Sequence, residues 1–333
     1  LKDAEVVVTA WETGELTDLL DYTPRLQMVI HSGLGQGCYW NAELRARGES
    51  LFPEIQLNAE PVAECSLAMI ILAARRGLPI TASVHREPSQ GGDVLGNFTE
   101  VGLYGAQIDS LGVANFALVI DMLAPLHDDI KVSSHHLNKA QARIGVTAAN
   151  IEDIMRTCDV VSLHSASTPR TYHMLGAEDF ATMEDGAAFI NTARGAICGQ
   201  DALIAELQRD RINAICDVTD PEANVPDSPL WTLPNIMLTP YAAGSVGKEL
   251  VVLVTGRNDL ARYIVGSKVV GEILVDQYRR ASLTDQGPTF IAQELVCGSP
   301  GGRTRHGGLA LSVWAAQGLS LIHISEPTRL LSI

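Results

Sequence analysis

The sequence predicts an α/β protein with a doubly wound parallel sheet, because short apolar runs alternate with helical patterns from about residue 100 onward. The strand-like runs are VGLYG, IKVSS, DVVSLH, AAFINT, NAICDV and IMLTP. The segments IEDIMRTC and DALIAELQRD repeat their apolar residues with helical spacing, the first at Ile151, Ile154, Met155 and Cys158. A repeated strand-then-helix order favours parallel strands covered by helices on both faces.

Polar residues and glycines follow these runs, where the loops of a parallel sheet open onto a shared crevice. We therefore expect the side chains at the strand ends to converge on one site. The residues at those ends are Gly105, Ser134, His164, Arg194, Asp217 and Tyr241.

A smaller α/β unit is predicted before this region, with strands near residues 5 to 10 and 26 to 31. The segment PVAECSLAMIILAARR follows and predicts a helix that is apolar on most faces and therefore buried. Residues 247 to 280 have an amphipathic helical pattern that could return to the first unit. We expect one domain from residues 1–78 plus 246–281, with a nucleotide-binding domain at 79–245 inserted into it.

Both ends of the chain carry signs of incompleteness. The chain begins with Leu1 and enters a strand-like segment almost at once, which predicts a truncated first domain. Residues 282–333 keep neither period and are predicted to form a disordered tail, and the closing SLIHISEPTRLLSI resembles a translated sequencing adapter.

Composition excludes several classes of partner. The net charge of -15 argues against a nucleic-acid or anionic-membrane surface, and no apolar run in the body of the chain is long enough to span a bilayer. The 6 cysteines show no CxxC pair, which indicates free thiols in the cytoplasm and gives no metal site. A small-molecule partner is favoured.

The segment VGLYGAQIDSLG places Gly105 and Gly112 between a predicted strand and a helix, as a dinucleotide-binding turn requires. The spacing departs from GxGxxG unless two residues are inserted, so a plain strand-to-helix turn remains an equal alternative. On the functional interpretation, the residues that line the cofactor are Gly105, Gln107, Ile108 and Gly112.

The strand in DDIKVSSHHLNK should end in a carboxylate if the site selects the ribose hydroxyls of NAD. It ends instead in Ser134, His135 and His136, with Lys139 close by. Two interpretations remain open: a site that accepts the 2'-phosphate of NADP, or a solvated strand end with no role in cofactor choice.

Three further residues at strand ends are candidates for chemistry. Arg194 could hold a carboxylate through two parallel hydrogen bonds, although a surface ion pair is the usual role of an arginine. Asp217 and Glu222 lie in CDVTDPEANVPDSPL, a strand that breaks into a proline-rich loop, where they could orient an amide or raise the pKa of a proton carrier, or could simply be solvated.

The segments FINTARGAICGQDALIAELQRDRINAICDVTDPE and SPLWTLPNIMLTPYAAGS together resemble the signature region of the D-isomer-specific 2-hydroxyacid dehydrogenases, of phosphoglycerate dehydrogenase-like type. The segments DVVSLHSASTPRTYHMLG and NAEPVAECSLAMIILAARR are similar to further parts of the family, so the resemblance covers about residues 1 to 280. It implies a Rossmann-type domain inserted into a smaller flavodoxin-like substrate domain, and a homodimer.

The resemblance also implies an activity and a set of site residues. The family transfers a hydride between NAD or NADP and a 2-hydroxy or 2-keto acid, with Arg194 on the substrate carboxylate, Asp217 on the nicotinamide amide and Glu222 behind the acid/base residue. The loop that would bind the substrate carboxylate contains Ser32, Gly33 and Leu34. Further cofactor contacts implied are His164, Thr168, Pro169, Thr171, Thr192, Ala193 and Gly244.

One residue departs from the family pattern. Tyr241 stands where the family carries the histidine that donates a proton to the carbonyl oxygen, so Arg194, Glu222 and Tyr241 form the expected catalytic set. A phenol with a pKa near 10 can donate a proton but is a poor base at neutral pH. The sequence therefore predicts a dehydrogenase of reduced activity, with an NAD(P)-binding protein without turnover as the alternative.

Overall fold

The computed structural model describes residues 2–9, 19–31, 50–53, 59–86, 98, 101–112, 116–126, 130–133, 146–168, 170–222, 225–244, 261–262, 265, 311–316 and 319–324. The chain divides into two compact units, one made of residues 1–57 and 250–333 and the other of residues 58–249. The predicted helix at 247–280 and its return to the first unit lie almost entirely outside the described residues.

The first unit contains a three-stranded parallel sheet with strand order β1-β2-β3. The strands are β1 (Val6–Thr9), β2 (Met28–His31) and β3 (Ser50–Pro53), and a short helix α1 (Leu19–Tyr22) lies between the first two. Val7, Met28 and Val29 are buried, which explains why this apolar segment forms strands. The two strands predicted near residues 5 to 10 and 26 to 31 are confirmed.

The second unit is built on a seven-stranded parallel sheet with strand order β10-β9-β8-β7-β4-β5-β6. Its strands are β4 (Ile108–Leu111), β5 (Ile130–Ser133), β6 (Val146–Ala148), β7 (Val160–Leu163), β8 (Ala188–Asn191), β9 (Asn213–Cys216) and β10 (Ile236–Leu238). The chain order runs outward from β4 in one direction and from β7 in the other. This is the predicted doubly wound sheet of Rossmann type, with its reversal between β4 and β7.

One predicted strand is wrong and one strand was missed. The run VGLYG forms turns at residues 101–105, and the first strand of the sheet begins later, at Ile108. The physical reason is that Gly102 and Gly105 adopt positive φ angles of 130° and 75°, which break an extended strand. Strand β6 is only three residues long and alternates poorly, so its sequence carries little strand signal.

The helices of this unit cover the sheet. They are α2 (Ala59–Ala74), α3 (Gly77–Arg86), α4 (Phe116–Leu123), α5 (Ile151–Thr157), α6 (Ala177–Thr182) and α7 (Gln200–Gln208). The predicted α5 is confirmed, with Ile154 and Met155 buried and the Asn150 side chain capping its first turn by accepting a hydrogen bond from the Asp153 N–H at 2.7 Å. The predicted buried helix in PVAECSLAMIILAARR is confirmed as α2.

Two hydrophobic clusters cover the two faces of the large sheet. Along β8, Phe189 belongs to one cluster, while Ala188 and Ile190 belong to the other. Phe180 of α6 packs edge-on against Phe189 with ring centroids 5.1 Å apart. The strands β4, β7, β8 and β9 are buried along their whole length, as expected for a sheet covered on both sides.

Two strands are also described inside the segment predicted as a disordered tail. β11 (Leu311–Ala316) and β12 (Leu319–Ile324) pair antiparallel as a hairpin. LSVWAA and LSLIHI both contain β-branched or aromatic residues that favour strands, and the disordered tail over residues 282–333 stays a prediction. Separately, no single helix in the described ranges is long and apolar enough to cross a membrane, although the bent pair of α2 and α3 passes that test by length and composition.

Arg211 joins α6, α7 and the start of β9. Its guanidinium pairs with Glu206 at 2.7 Å and with Asp185 at 2.6 Å, and donates to the carbonyl oxygens of Phe180 and Met183 at the end of α6. The Glu206 side chain is only 5% exposed, so its charge depends on this partner and on Arg209. The Arg211 network thus fixes the start of β9, at the edge of the sheet opposite the ends that carry the predicted site residues.

We expect Arg211→Ala to lower the free energy of unfolding by about 3 kcal/mol, because it leaves the Glu206 carboxylate buried with a weaker partner. Arg156→Ala is the matched control, since its ion pair with Glu152 is exposed, and it should change stability by less than about 0.5 kcal/mol. Urea denaturation followed by circular dichroism measures both. Equal losses in the two variants would show that the Arg211 network contributes no more than a surface pair.

Candidate functional site

The reversal of strand order between β4 and β7 brings Gly112 against the end of β7. Gly112 has a φ of 101°, and a Cβ atom there would lie 2.5 Å from the Ser165 backbone nitrogen. Only glycine fits at this position, because any side chain would collide with the neighbouring backbone. Helix α4 begins at Phe116, and residues 113–115 lie outside the described residues, so the predicted glycine turn after Gly112 stays a prediction.

The other residues predicted for this turn are placed at the wrong end of the strand. Gly105 and Gln107 precede β4, and the Gln107 N–H donates to the Asp159 carboxylate at 2.9 Å. Ile108 is fully buried in the core. Gly105, Gln107 and Ile108 therefore lie at the amino edge, opposite the crevice, and their assignment to the cofactor site is wrong.

His164 directly follows β7 and is almost completely buried. Its Nε2 lies 2.8 Å from the Ser162 hydroxyl, and burial lowers the pKa of its imidazole to about 3. The ring is therefore neutral at physiological pH. It can line the crevice, but it cannot store a proton there.

The loop after β7 is tightly bonded within itself. The Thr168 N–H donates to the Thr171 hydroxyl at 2.8 Å, and that hydroxyl donates to the Ala166 carbonyl at 2.7 Å. These bonds give the loop a defined shape at the carboxyl edge of the sheet. Pro169, also predicted for this loop, lies outside the described residues.

The end of β8 holds the turn that delivers Arg194. The Asn191 side chain donates to the Arg194 carbonyl at 3.0 Å and accepts from the Ala193 N–H at 3.0 Å. The buried Thr192 hydroxyl lies 2.9 Å from the Ser66 hydroxyl of α2. Both contacts remove freedom from the turn, so the arginine leaves the strand in a fixed direction.

Gly195 is required because another backbone passes directly over it. A Cβ atom at this position would lie 2.0 Å from the Thr219 carbonyl oxygen and 2.7 Å from the Asp220 nitrogen. The absence of a side chain lets the loop after β9 approach the turn after β8. The charged side chain of Arg194 therefore stands directly beside Gly195, where the close backbone contact positions the two loops.

Asp217 ties the end of β9 to the loop after β10. One carboxylate oxygen accepts from the Thr239 hydroxyl at 2.5 Å and the Ala242 N–H at 2.7 Å, and the other accepts from the Ala243 N–H at 2.9 Å. Its own carbonyl accepts from the Tyr241 N–H at 3.0 Å. Since Asp217 is only 3% exposed, these bonds replace the water that a carboxylate would otherwise need.

Tyr241 is held in a strained backbone conformation beside Arg194. Its φ of 57° is left-handed, a region that a bulky residue rarely adopts, and the Asp217 contacts hold it there. The Arg194 guanidinium carbon lies 5.4 Å from the centroid of the Tyr241 ring, within the range of a cation–π contact. Burial raises the pKa of the Tyr241 phenol above its usual value of 10.0, so the phenol is neutral at physiological pH.

Glu222 lies five residues beyond Asp217 and is partly buried. Burial raises the pKa of its carboxyl to about 7, with the nearby Asp217 and Asp220 charges acting in the same direction and the Arg194 charge opposing them. The charge of Glu222 is also felt at the Tyr241 phenol. The structure thus brings Arg194, Asp217, Glu222 and Tyr241 together at the ends of β8, β9 and β10.

The remaining predicted site residues divide into two groups. Gly244 is described and buried, two residues beyond Ala242 in the loop that Asp217 holds. The residues that lie outside the described ranges are Ser32, Gly33, Leu34, Ser134 and Pro169. No group of His, Cys, Asp and Glu side chains within the described ranges could hold a metal ion.

Sequence reasoning missed the residues that position the site. Asn191 and Gly195 carry no charge and were passed over, although both stand beside Arg194 in the quoted run FINTARG. It also missed the pair of His173 Nε2 and the Asp220 carboxylate, 3.1 Å apart and 47 residues apart in sequence. Asn191 and Gly195 could have been found because both residue types favour turns, but no local signal reveals the pair of His173 and Asp220.

We expect Gly195→Ala to lower the free energy of unfolding by about 3 kcal/mol, because the new methyl group would overlap the Thr219 backbone. Gly176→Ala is the matched control, since the nearest atom to its Cβ would be a flexible carboxylate oxygen 3.9 Å away. Thermal and urea unfolding of both variants measure the difference. A stable Gly195→Ala variant would show that the two loops are not in close contact.

We expect Asp217→Asn to lower the free energy of unfolding by about 3 kcal/mol, because an amide nitrogen cannot accept the hydrogen bonds that one carboxylate oxygen now accepts. Asp227→Asn removes the same charge from an exposed site and is the control. Amide hydrogen exchange at Ala242 and Ala243 should also accelerate in the first variant alone. Unchanged exchange there would contradict the described role of Asp217.

Comparison with known proteins identifies the architecture. Residues 67–243, more than half of the chain, match the family model described as D-isomer specific 2-hydroxyacid dehydrogenase, NAD binding domain. A glyoxylate/hydroxypyruvate reductase B from Shigella dysenteriae is 29% identical over 230 residues, which cover 67% of this chain and 70% of that protein. A glyoxylate reductase from Korarchaeum cryptofilum is 28% identical over 255 residues, covering 74% of this chain and 75% of its own.

The fold is also shared with solved structures. A D-lactate dehydrogenase with NAD+ from Lactobacillus jensenii superposes with a TM-score of 0.66 at 20% identity, covering 78% of this chain and 84% of that chain. The matched residues 67–243 contain the whole seven-stranded parallel sheet. The chain belongs to the D-isomer-specific 2-hydroxyacid dehydrogenases, whose NAD-binding domain it contains and which act as NAD(P)-linked oxidoreductases.

Proposed function

We propose that this chain reduces a small 2-keto acid of the glyoxylate or hydroxypyruvate type to the corresponding 2-hydroxy acid, with Arg194 as the residue that binds the substrate carboxylate. Of the relatives named above, one is a reductase of glyoxylate and hydroxypyruvate and another a reductase of glyoxylate. The observation that carries the proposal is the position of the Arg194 guanidinium beside the Tyr241 ring at the carboxyl edge of the sheet.

Most N–H donors of the Arg194 guanidinium have no partner among the described residues. Among the described residues its side chain makes one hydrogen bond, from Nη1 to the Ala193 carbonyl at 2.6 Å, and it forms no ion pair within 4.0 Å. A guanidinium has five N–H donors, so a pair of them remains for the two oxygens of a carboxylate. The bond to Ala193 also holds the side chain in place before substrate arrives, which lowers the entropy cost of binding.

The cofactor fits the described edge of the sheet. Gly112 follows β4 at the carboxyl edge of the sheet and is the proposed start of the turn on which a pyrophosphate would rest. Thr168, Thr171, Thr192, Ala193 and Gly244 remain the proposed contacts along the rest of the cofactor. A reduced nicotinamide, when bound, supplies the hydride of the reaction. The choice between NAD and NADP depends on Ser134 and its neighbours, which lie outside the described residues.

We assign Asp217 a positioning role in place of the predicted contact with the nicotinamide amide. Three donors from residues 239–243 already engage its carboxylate, and the side chain is almost fully buried. Its contribution is to hold Tyr241 in its left-handed conformation beside Arg194. The carboxylate charge also raises the pKa of Tyr241, together with burial.

A second candidate function is NAD(P) binding without turnover, and Tyr241 is the observation that favours it. General acid–base assistance typically contributes about 10²- to 10⁴-fold in rate, so replacing the family histidine could abolish turnover while cofactor binding survives. NAD(P)H absorbance with a panel of 2-keto acids, measured beside a fluorescence titration of the cofactor, separates the two functions. Binding without oxidation would select the second.

Two further properties are proposed on the family resemblance. A homodimer formed through the nucleotide-binding unit is expected, and light scattering of the purified protein would detect it. A cytoplasmic location is consistent with the cysteines Cys65, Cys158, Cys198 and Cys216, which are free thiols.

We expect Arg194→Lys to lower kcat/KM for a 2-keto acid by about 10²-fold, because a lysine cannot form two parallel hydrogen bonds with a carboxylate. The dissociation constant for NAD(P)H should change by less than about threefold, since Arg194 is assigned to the substrate. Arg156→Lys, on the exposed face of α5, is the matched control. Unchanged kcat/KM in Arg194→Lys would contradict the assignment of the substrate carboxylate to this residue.

A further inference from the structure

We propose that Tyr241 is a positioning residue, whose aromatic ring holds the Arg194 guanidinium in place for the substrate carboxylate without neutralising its charge. The role rests on the proposed reduction of a 2-keto acid, in which Arg194 binds that carboxylate. It concerns the ring of Tyr241 and substrate binding, and it is separate from any transfer of the hydroxyl proton.

Uncharged groups hold the Arg194 guanidinium within the described part of the chain. Its Nη1 donates to the Ala193 carbonyl at 2.6 Å, and its Cζ lies 5.4 Å from the centroid of the Tyr241 ring. Both side chains belong to partly buried residues, where a cation is attracted to a ring face more strongly than at an exposed surface. The carbonyl restrains one nitrogen and the ring attracts the whole cation, so together they restrict the side chain.

Arg211 shows what carboxylate partners do to an arginine in the same fold. Its guanidinium pairs with Glu206 at 2.7 Å and with Asp185 at 2.6 Å, so its charge is balanced inside the protein. Arg194 forms no such pair within 4.0 Å among the described residues. A ring face attracts a cation through its quadrupole and carries no net charge, so Arg194 keeps the positive charge that a substrate carboxylate requires.

This role requires that the Tyr241 phenol stays neutral. A phenolate would attract the guanidinium as an anion and would compete with the carboxylate of the substrate. Burial raises the pKa of the phenol above its usual 10.0, and the charges of Glu222 and Asp217 act in the same direction. The charge of Arg194 opposes them without reversing the shift. The ring therefore faces Arg194 as an uncharged group at physiological pH.

The backbone around Tyr241 keeps the ring beside Arg194. The Tyr241 N–H donates to the Asp217 carbonyl at 3.0 Å, and the Asp217 carboxylate accepts from the N–H groups of Ala242 and Ala243 at 2.7 and 2.9 Å. These bonds maintain the left-handed φ of 57° at Tyr241. The ring is thus fixed by the fold and not by the substrate, so the guanidinium is restrained before the substrate binds.

Restraint of Arg194 before binding should appear as substrate affinity. An arginine that is already immobile loses less conformational entropy when a carboxylate binds to it. A cation–π contact in a partly buried setting corresponds to about a 10-fold change in a binding constant. Removal of the ring should therefore weaken carboxylate binding by about this factor, whereas removal of the hydroxyl alone should not.

Two substitutions separate the ring from the hydroxyl. Tyr241→Phe keeps the ring, and Tyr241→Leu removes it, while both leave an unbranched Cβ at the left-handed position and so strain the backbone alike. Tyr172→Leu is the matched control for loss of a ring near the site, because the Tyr172 ring stacks on His173 with centroids 4.0 Å apart and is 60% exposed.

The measurement is titration calorimetry with oxamate, an unreactive analogue of a small 2-keto acid, at saturating NADH or NADPH. We expect Tyr241→Leu to raise the dissociation constant for oxamate about 10-fold. Tyr241→Phe and Tyr172→Leu should each change it by less than about twofold. The dissociation constant for NAD(P)H should stay within about twofold of the wild type in all three variants, which shows that the fold is retained.

Steady-state kinetics give a second separation. Tyr241→Leu should raise KM for the 2-keto acid about 10-fold, because the ring acts on binding. Tyr241→Phe should keep the wild-type KM, and any part that the hydroxyl takes in proton transfer should appear in kcat alone.

Nuclear magnetic resonance tests the contact itself without turnover. In protein labelled with ¹⁵N-arginine, the Nε–H signal of Arg194 is identified as the one that disappears in Arg194→Lys. The ring current of Tyr241 should shift this signal in the wild type and in Tyr241→Phe, and the shift should be lost in Tyr241→Leu. An Arg194 signal unchanged in Tyr241→Leu would overturn the positioning role.

The binding results separate this role from the proposed function. A wild-type protein that binds NAD(P)H but not oxamate would overturn the carboxylate site at Arg194 and the role of Tyr241 with it. Oxamate binding that is equally tight in the wild type and in Tyr241→Leu would overturn the role of Tyr241 alone. Equal losses of affinity in Tyr241→Phe and Tyr241→Leu would assign the effect to the hydroxyl and would also overturn the role of the ring.

Discussion

The carboxylate of Asp217 is the constraint on which the site depends. It is buried at the end of β9 and its oxygens accept hydrogen bonds from three donors in the loop after β10. A buried charge without such donors would be too costly to keep, so the loop and the carboxylate require one another. The left-handed backbone of Tyr241 persists because these bonds surround it on both sides.

The second constraint is the close contact between the turns after β8 and β9. Gly195 allows the Thr219 backbone to pass where a side chain would stand, and Asn191 fixes the turn that carries Arg194. Together the two constraints bring the Arg194 guanidinium, the Tyr241 phenol and the Glu222 carboxyl, whose pKa is raised, to the ends of three neighbouring strands. Catalytic groups of this kind need positions held by rigid elements, and here the elements are strands buried on both faces.

The family resemblance predicts a histidine where this chain has Tyr241, and the two side chains differ in their proton chemistry. Tyr241 occupies a backbone position that tolerates histidine better than a bulkier aromatic residue, and it still reaches the Arg194 guanidinium. A phenol can pass a proton but cannot hold the charge that remains when the proton has left. Burial raises the pKa of the Glu222 carboxyl, at the same edge of the sheet, to about 7.

Periodicity was enough to predict the parallel sheet, its buried strands and the helices α2, α5 and α7, since each of these buries a continuous apolar face. The first strand of the large sheet was predicted at VGLYG, but Gly102 and Gly105 break the extended backbone there and β4 begins at Ile108. The convergence of Arg194, Asp217 and Tyr241 followed from the position of strand ends in a parallel sheet. Distances between chain segments do not follow from local sequence patterns. The hydrogen bonds of Asp217 and the close contact at Gly195 each link segments that follow different strands. These contacts, and the burial of Glu222, exist only once the sheet has assembled.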